Sequence, residues 1–140
     1  MIYEFPITVL TTDTEASPAE EDIKLTNGVV HRVEIEFPAG CVGLVHIAIY
    51  HMGHQVWPSN PEGSFASEDY VVAFDDYYPL LGPPYLFKIL GWTDETTYDH
   101  TIKVRFGLLP ENVARGMFGI SGAAQQQYSS GDLLAALGGV

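Results

Sequence analysis

The chain has 140 residues, 46% of them hydrophobic, with Lys and Arg numbering 6 against 18 Asp and Glu, for a formal net charge of -12. That length fits one domain with its own core, and the apolar content excludes intrinsic disorder. The single cysteine, Cys41, excludes an intramolecular disulfide framework, and so acidic a surface repels nucleic-acid phosphates and anionic membranes.

The N-terminus, MIYEFPITVL, has no basic start and no continuous apolar run. It reads as lacking a secretory signal. No stretch approaches the roughly 18 apolar residues that span a bilayer. Tyr3, Phe5, Ile7 and Val9 alternate instead with Glu4, Pro6 and Thr8, the period of a half-buried strand. Pro6 cannot donate to a ladder, which predicts a sheet edge.

Thr11 to Asp22 read as a loop. Ile23-Lys24-Leu25-Thr26, then Asn27-Gly28, then a second alternating run predict a hairpin, because Asn-Gly suits the left-handed turn. In that run Val29, Val33, Ile35 and Phe37 face one way, and Arg32, Glu34 and Glu36 the other. Leu44 to His51 is apolar on both faces, as in a central strand. Met52-Gly53 turns the chain, and His54 to Trp57 returns.

Pro58 to Gly63 is a polar turn. Tyr70, Val72 and Phe74 mark another strand, and residues 75–84 a loop. Tyr85 to Trp92 and Thr101 to Leu109 are the last two strands, the latter with Ile102, Val104 and Phe106 inward and Lys103 and Arg105 outward. About eight short strands at this spacing predict an all-β antiparallel sandwich over residues 1–110, jelly-roll-like. An immunoglobulin sandwich is disfavoured because its Cys…Trp…Cys core is absent.

Residues 111–140 form a tail. Glu111 to Phe118 suits a short helix after Pro110. Leu133, Leu134 and Leu137 then make a small apolar knob after Asp132. So short a helix does not stand alone in water, so the tail is either disordered or docked on a neighbour.

The chemistry-bearing residues form no familiar catalytic set, which predicts a non-enzyme without a cofactor. His46 and His51 lie on opposite faces of one strand. His51 and His54 flank a turn, but two imidazoles are short of a zinc site. A metal there, with His100 or an Asp as third ligand, is the minor reading; a hydrogen-bonded turn pair is the main one. His31 and His100 read as satisfied histidines at the core rim. Glu20-Glu21-Asp22, Asp75-Asp76 and Asp94-Glu95 fall in expected loops, without the geometry of a two-carboxylate site. Ser64 and Ser121 lack a visible base and orienter, and nothing near Cys41 would activate its thiol. The many Tyr and Trp residues suit core and interface packing. A platform of exposed Trp57 or Trp92 would instead suit a sugar-binding module.

The stretches GLVHIAIYHMGHQVWPSNPEGSF and HTIKVRFGLLP resemble small β-sandwich proteins encoded beside structural genes in bacteriophages and prophages. The resemblance covers roughly residues 3 to 110 and carries no active site. It implies a virion component made in the host cytoplasm: a capsid decoration or minor coat protein, often trimeric, that binds the major capsid protein or other virion proteins and stabilises the particle. Leu44, Ile47, Ile49, Trp57, Leu133, Leu134 and Leu137 are the interface candidates on this reading. Ile47 and Ile49 would face either a partner or a second sheet. A host-recognition carbohydrate module is the alternative, and a cupin-like metalloenzyme a more distant one.

Overall fold

The computed structural model describes residues 1–119. Eight strands occupy them: β1 Ile2–Val9, β2 Ala19–Lys24, β3 Gly28–Phe37, β4 Val45–His51, β5 His54–Trp57, β6 Tyr70–Leu80, β7 Leu86–Thr93 and β8 His100–Leu109, followed by helix α1 Glu111–Met117. They form two four-stranded antiparallel sheets, ordered β1-β8-β3-β6 and β2-β7-β4-β5. Every pairing of the first half with the second is thereby used: β1 with β8, β2 with β7, β3 with β6, β4 with β5. This is a long hairpin, with its tip at β4–β5, rolled over on itself. It is the jelly-roll sandwich that the strand spacing predicts.

Alternation decides which faces meet. Ile7 and Val9 on β1, Val33, Ile35 and Phe37 on β3, Ile47 and Ile49 on β4, Phe87 and Ile89 on β7, and Ile102, Val104 and Phe106 on β8 are buried in one core between the sheets. β1 is an edge strand, where Pro6 needs no ladder partner on its outer side. β4 is interior to its sheet, and Ala48 on its outer face is buried too. Residues 58–67 return alongside β4, on the side away from β7: Phe65 and Ile47 exchange backbone hydrogen bonds of 2.8 and 2.9 Å. Gln55 pins that return by donating to the carbonyls of Pro58, Asn60 and Gly63.

Four expectations need correction. Asn27-Gly28 is not a hairpin turn, because β2 and β3 lie in different sheets. Each strand must bury its apolar side against the opposite sheet, so the chain crosses over there. Gly28, at φ 151°, has the Leu109 carbonyl oxygen 2.7 Å from where a Cβ would stand. Second, the loop after β1 is shorter than expected, because residues Ala19 to Asp22 already pair with β7. Third, residues 75–80 continue β6 rather than leave it. Fourth, the β3–β6 and β3–β8 registers shift between Val30 and Arg32. That bulge puts Val30 in the core with Val33. Val29, though buried, falls on the outer side, where α1 packs on β3. The helix expected after Pro110 is present. No helix among the described residues is long and apolar enough to cross a membrane.

Candidate functional site

The β4–β5 turn pairs His51 with His54 in register, but the two imidazoles do different things. His51 is 8% exposed and lies flat on Phe87, ring centroids 4.4 Å apart. Its Nε2 is 3.0 Å from the Pro84 carbonyl and its Nδ1 2.7 Å from the Tyr78 hydroxyl. A carbonyl only accepts, so Nε2 carries the proton, and Nδ1 accepts from Tyr78. Burial raises the Tyr78 pKa above its ordinary value, which keeps that hydroxyl a donor. Both nitrogens of His51 are thus engaged, while His54 is exposed. His100 starts β8, in register with Val9, and stands beneath the β3–β4 turn at Gly40. Among the described residues no group of three His, Cys, Asp or Glu could hold a metal ion.

His46 faces the outer side of β4. Its ring stacks on Trp92, centroids 5.5 Å apart and planes 11° apart. Nε2 is 2.6 Å from Asp94 Oδ2, and Nδ1 is 2.9 Å from Ser64 Oγ. A carboxylate only accepts, so in the neutral ring Nε2–H points at Asp94 and the Ser64 hydroxyl donates to Nδ1. This supplies Ser64 with the base and orienter that its sequence neighbours do not. Pairing of β4 with β7 and the return of residues 58–67 along β4 bring the three together across 18 and 48 positions. Sequence spacing held no signal for it.

The order carboxylate–imidazole–hydroxyl is that of an activated nucleophile. Acyl transfer also needs donors for an oxyanion, commonly the amide after the nucleophile. Here the Phe65 amide is spent on Ile47 O and the Gly63 amide on Asn60 O. The contacts of His46 with Ser64 and Asp94 tie two loops, one on each side of β4, to that strand.

Trp57 is 2% exposed, so it is no surface platform. It stacks on Phe87, centroids 5.9 Å apart, and its Nε1 donates to Asp76 Oδ2 at 2.7 Å. Ile47 and Ile49 are fully buried and face the opposite sheet within the protomer. Inward phase on a strand takes all three off the surface, and of the two partners expected for Ile47 and Ile49 it is the second sheet that they meet. Leu44, just before β4, is 37% exposed. Leu133, Leu134 and Leu137 lie outside the described residues. His31 and His100 are not satisfied as expected: each has a buried Nδ1 without a hydrogen-bond partner.

The carboxylate clusters are placed by the register. Asp75-Asp76 sits in β6 and Glu20-Glu21-Asp22 in β2, not in loops. On the outer face of the first sheet, opposite charges alternate across all four strands. Arg105 on β8 meets Glu4 on β1 at 2.8 Å, and Glu34 and Glu36 on β3 at 3.6 and 2.8 Å. Arg32 on β3 meets Glu34 at 2.9 Å and Asp75 on β6 at 3.0 Å. The hydrogen bond from Arg105 holds the Glu36 carboxyl below its usual range.

The loops β1–β2, β3–β4, β5–β6 and β7–β8 gather at one end of the sandwich, tied by backbone bonds such as Thr93 N to Asp13 O and Asp94 N to Leu44 O. Residues 10–18, 38–44, 58–69 and 94–99 contain Asp13, Glu15, Glu62, Glu68, Asp69, Asp94, Glu95 and Asp99, and no Lys or Arg. Leu10, Val42, Leu44 and Tyr98 are exposed in the same loops.

No protein-family model and no curated protein matches the chain. Among solved structures, one described as Bacillus endospore appendages, a family of disulfide-linked pili, is similar over 78% of this chain and 90% of its own, with 15% identity and a TM-score of 0.31. A likeness that faint says nothing of function.

Proposed function

We propose that the chain is a non-enzymatic structural subunit of a virus particle, a capsid decoration or minor coat protein that stabilises the particle through protein–protein contacts. The observation that carries this reading is the strand order β1-β8-β3-β6 and β2-β7-β4-β5, an architecture used by viral coat subunits as well as by lectin domains and cupins. It is an argument by fold, and the surface supports it. Leu10, Val42, Leu44 and Tyr98 stand exposed at one loop end beside carboxylates. Apolar side chains rimmed by charge are the composition of a contact patch. The engagement of both nitrogens of His51 speaks against the cupin branch. Copies of the chain would meet as a trimer, and the acidic loop end would face other virion proteins such as the major capsid protein.

The test is the native mass in solution by size-exclusion chromatography with light scattering. A discrete species at three times 15.4 kDa, dissociated by Leu44→Asp, is the expected result. A monomer that also fails to bind particles overturns the reading.

A further inference from the structure

β6 is the edge of one sheet and β5 the edge of the other, and a cleft of about 320 Å³ opens between them. Its size is at the lower end of the range for small-molecule sites, roughly 300–1,000 Å³. Phe65 and Phe74 line it with Trp57 behind them. The two phenyl rings lie 5.6 Å apart with planes 26° apart, a nearly continuous apolar wall. Ser59 and Asp76 supply the polar side.

The polar side is built by the register. Asp76 and Tyr77 fall between the pairs Arg32–Asp75 and Val30–Tyr78, opposite His31. Alternation from Val72 and Phe74 turns Asp76 inward to Trp57. Its Oδ2 accepts from the Trp57 indole and its Oδ1 from the Tyr77 amide, both at 2.7 Å. Two neutral donors thus fix the carboxylate, and each oxygen keeps a further lone pair. Asp75, the neighbour of Asp76 on the strand, faces the other way and meets Arg32 on the outer face of the first sheet.

We propose that this cleft binds a neutral pyranose ring, its C–H face on Phe65 and Phe74 and its hydroxyls donating to Asp76. A flat apolar wall beside fixed acceptors matches a sugar's two faces. The Asp76 carboxylate disfavours acidic sugars and phosphate. The site stands or falls separately from the assembly reading, since oligomeric mass does not enter its test.

The test is titration of the full chain with neutral mono- and oligosaccharides of glucose, galactose, mannose and N-acetylglucosamine. Calorimetry and tryptophan emission report binding, in the wild type and in a Trp92→Phe variant that isolates Trp57. The expected result is a saturable response to at least one of these sugars that salt leaves unchanged. Phe74→Ala and Asp76→Asn, each checked for native circular dichroism, weaken it about tenfold or more. No response across the panel overturns the proposal. So does a response that both variants retain, or binding of oligolysine that salt abolishes in place of sugar binding.

Discussion

Gly91 faces the interior from β7, and a Cβ there would stand 2.7 Å from Val9 Cγ2 and 3.2 Å from Ile47 Cδ1. All three positions are buried, so the extra methyl has nowhere to go. Gly91→Ala is expected to lose about 1–3 kcal/mol, the usual effect of overpacking a dense core. Urea unfolding checks it: the midpoint falls and the slope stays constant. Cys41 makes a different residue-scale prediction. It is fully buried, and burial together with the nearby Glu68 carboxylate pushes its thiol up to about 11. Glu68 is held there because it accepts from the Gly40 and Val42 amides at 2.9 and 2.8 Å. The native thiol therefore stays protonated at pH 8 and resists alkylation until the protein unfolds. Because the folded value lies above the ordinary 9.0, its contribution to stability is full below pH 9 and is lost as pH rises toward about 11. Cys41→Ala should flatten that alkaline loss; identical alkaline unfolding of variant and wild type would refute the link.

At the scale of elements, the first sheet is held across its outer face by Arg105 and Arg32 threaded between carboxylates. Opposite charges directly across strands stabilise a register, although exposed pairs contribute only about 0–1 kcal/mol each. The Glu36 carboxyl, held low by Arg105, gives stability that is present above its unfolded value and lost as pH falls through its lower folded value. Arg105→Met should flatten the acid limb of unfolding below about pH 4.5 and reduce its salt sensitivity. A superimposable acid limb in the variant would show that the ladder contributes nothing. β3 and β8 were legible in the sequence because Val33, Ile35 and Phe37, and Ile102, Val104 and Phe106, alternate with charged residues. The first half of β2 was not, because Ala19-Glu20-Glu21-Asp22 is an exposed edge with no apolar phase to read. The end of β6 was hidden because a carboxylate, Asp76, occupies the inward phase between Phe74 and Tyr78. Asn27-Gly28 misled because its local preference is overridden by the need to place Ile23 and Val33 on opposing sheets. The relay of Ser64, His46 and Asp94 and the cleft at Phe74 depend on pairing between distant strands, which no local pattern encodes.

At the scale of the whole molecule, closure is non-local. β1 pairs with β8 along its length, from Ile2 with Gly107 to Val9 with His100, so the first strand cannot be placed until the last is made. Topologies of this kind fold slowly, in roughly milliseconds to seconds, and present unpaired edges while they do so. Pro6 on β1 and the carboxylates of β2 are suited to that interval, since both discourage edge-to-edge pairing. Among the described residues the buried hydrophobic side chains run from Ile7 to Ala114. This separates two roles that residues 120–140 could play. If Leu133, Leu134 and Leu137 grip a neighbouring copy, a chain ending at residue 119 should keep its thermal midpoint at high dilution, where copies are apart, yet lose its oligomeric mass at high concentration. Differential scanning fluorimetry and light scattering on the same two proteins give both readings. A lower midpoint at high dilution would mean that the tail supports its own sandwich rather than a neighbour. An unchanged oligomer would remove the leucines from the interface and leave the exposed loop end, with Val42, Leu44 and Tyr98, as the contact.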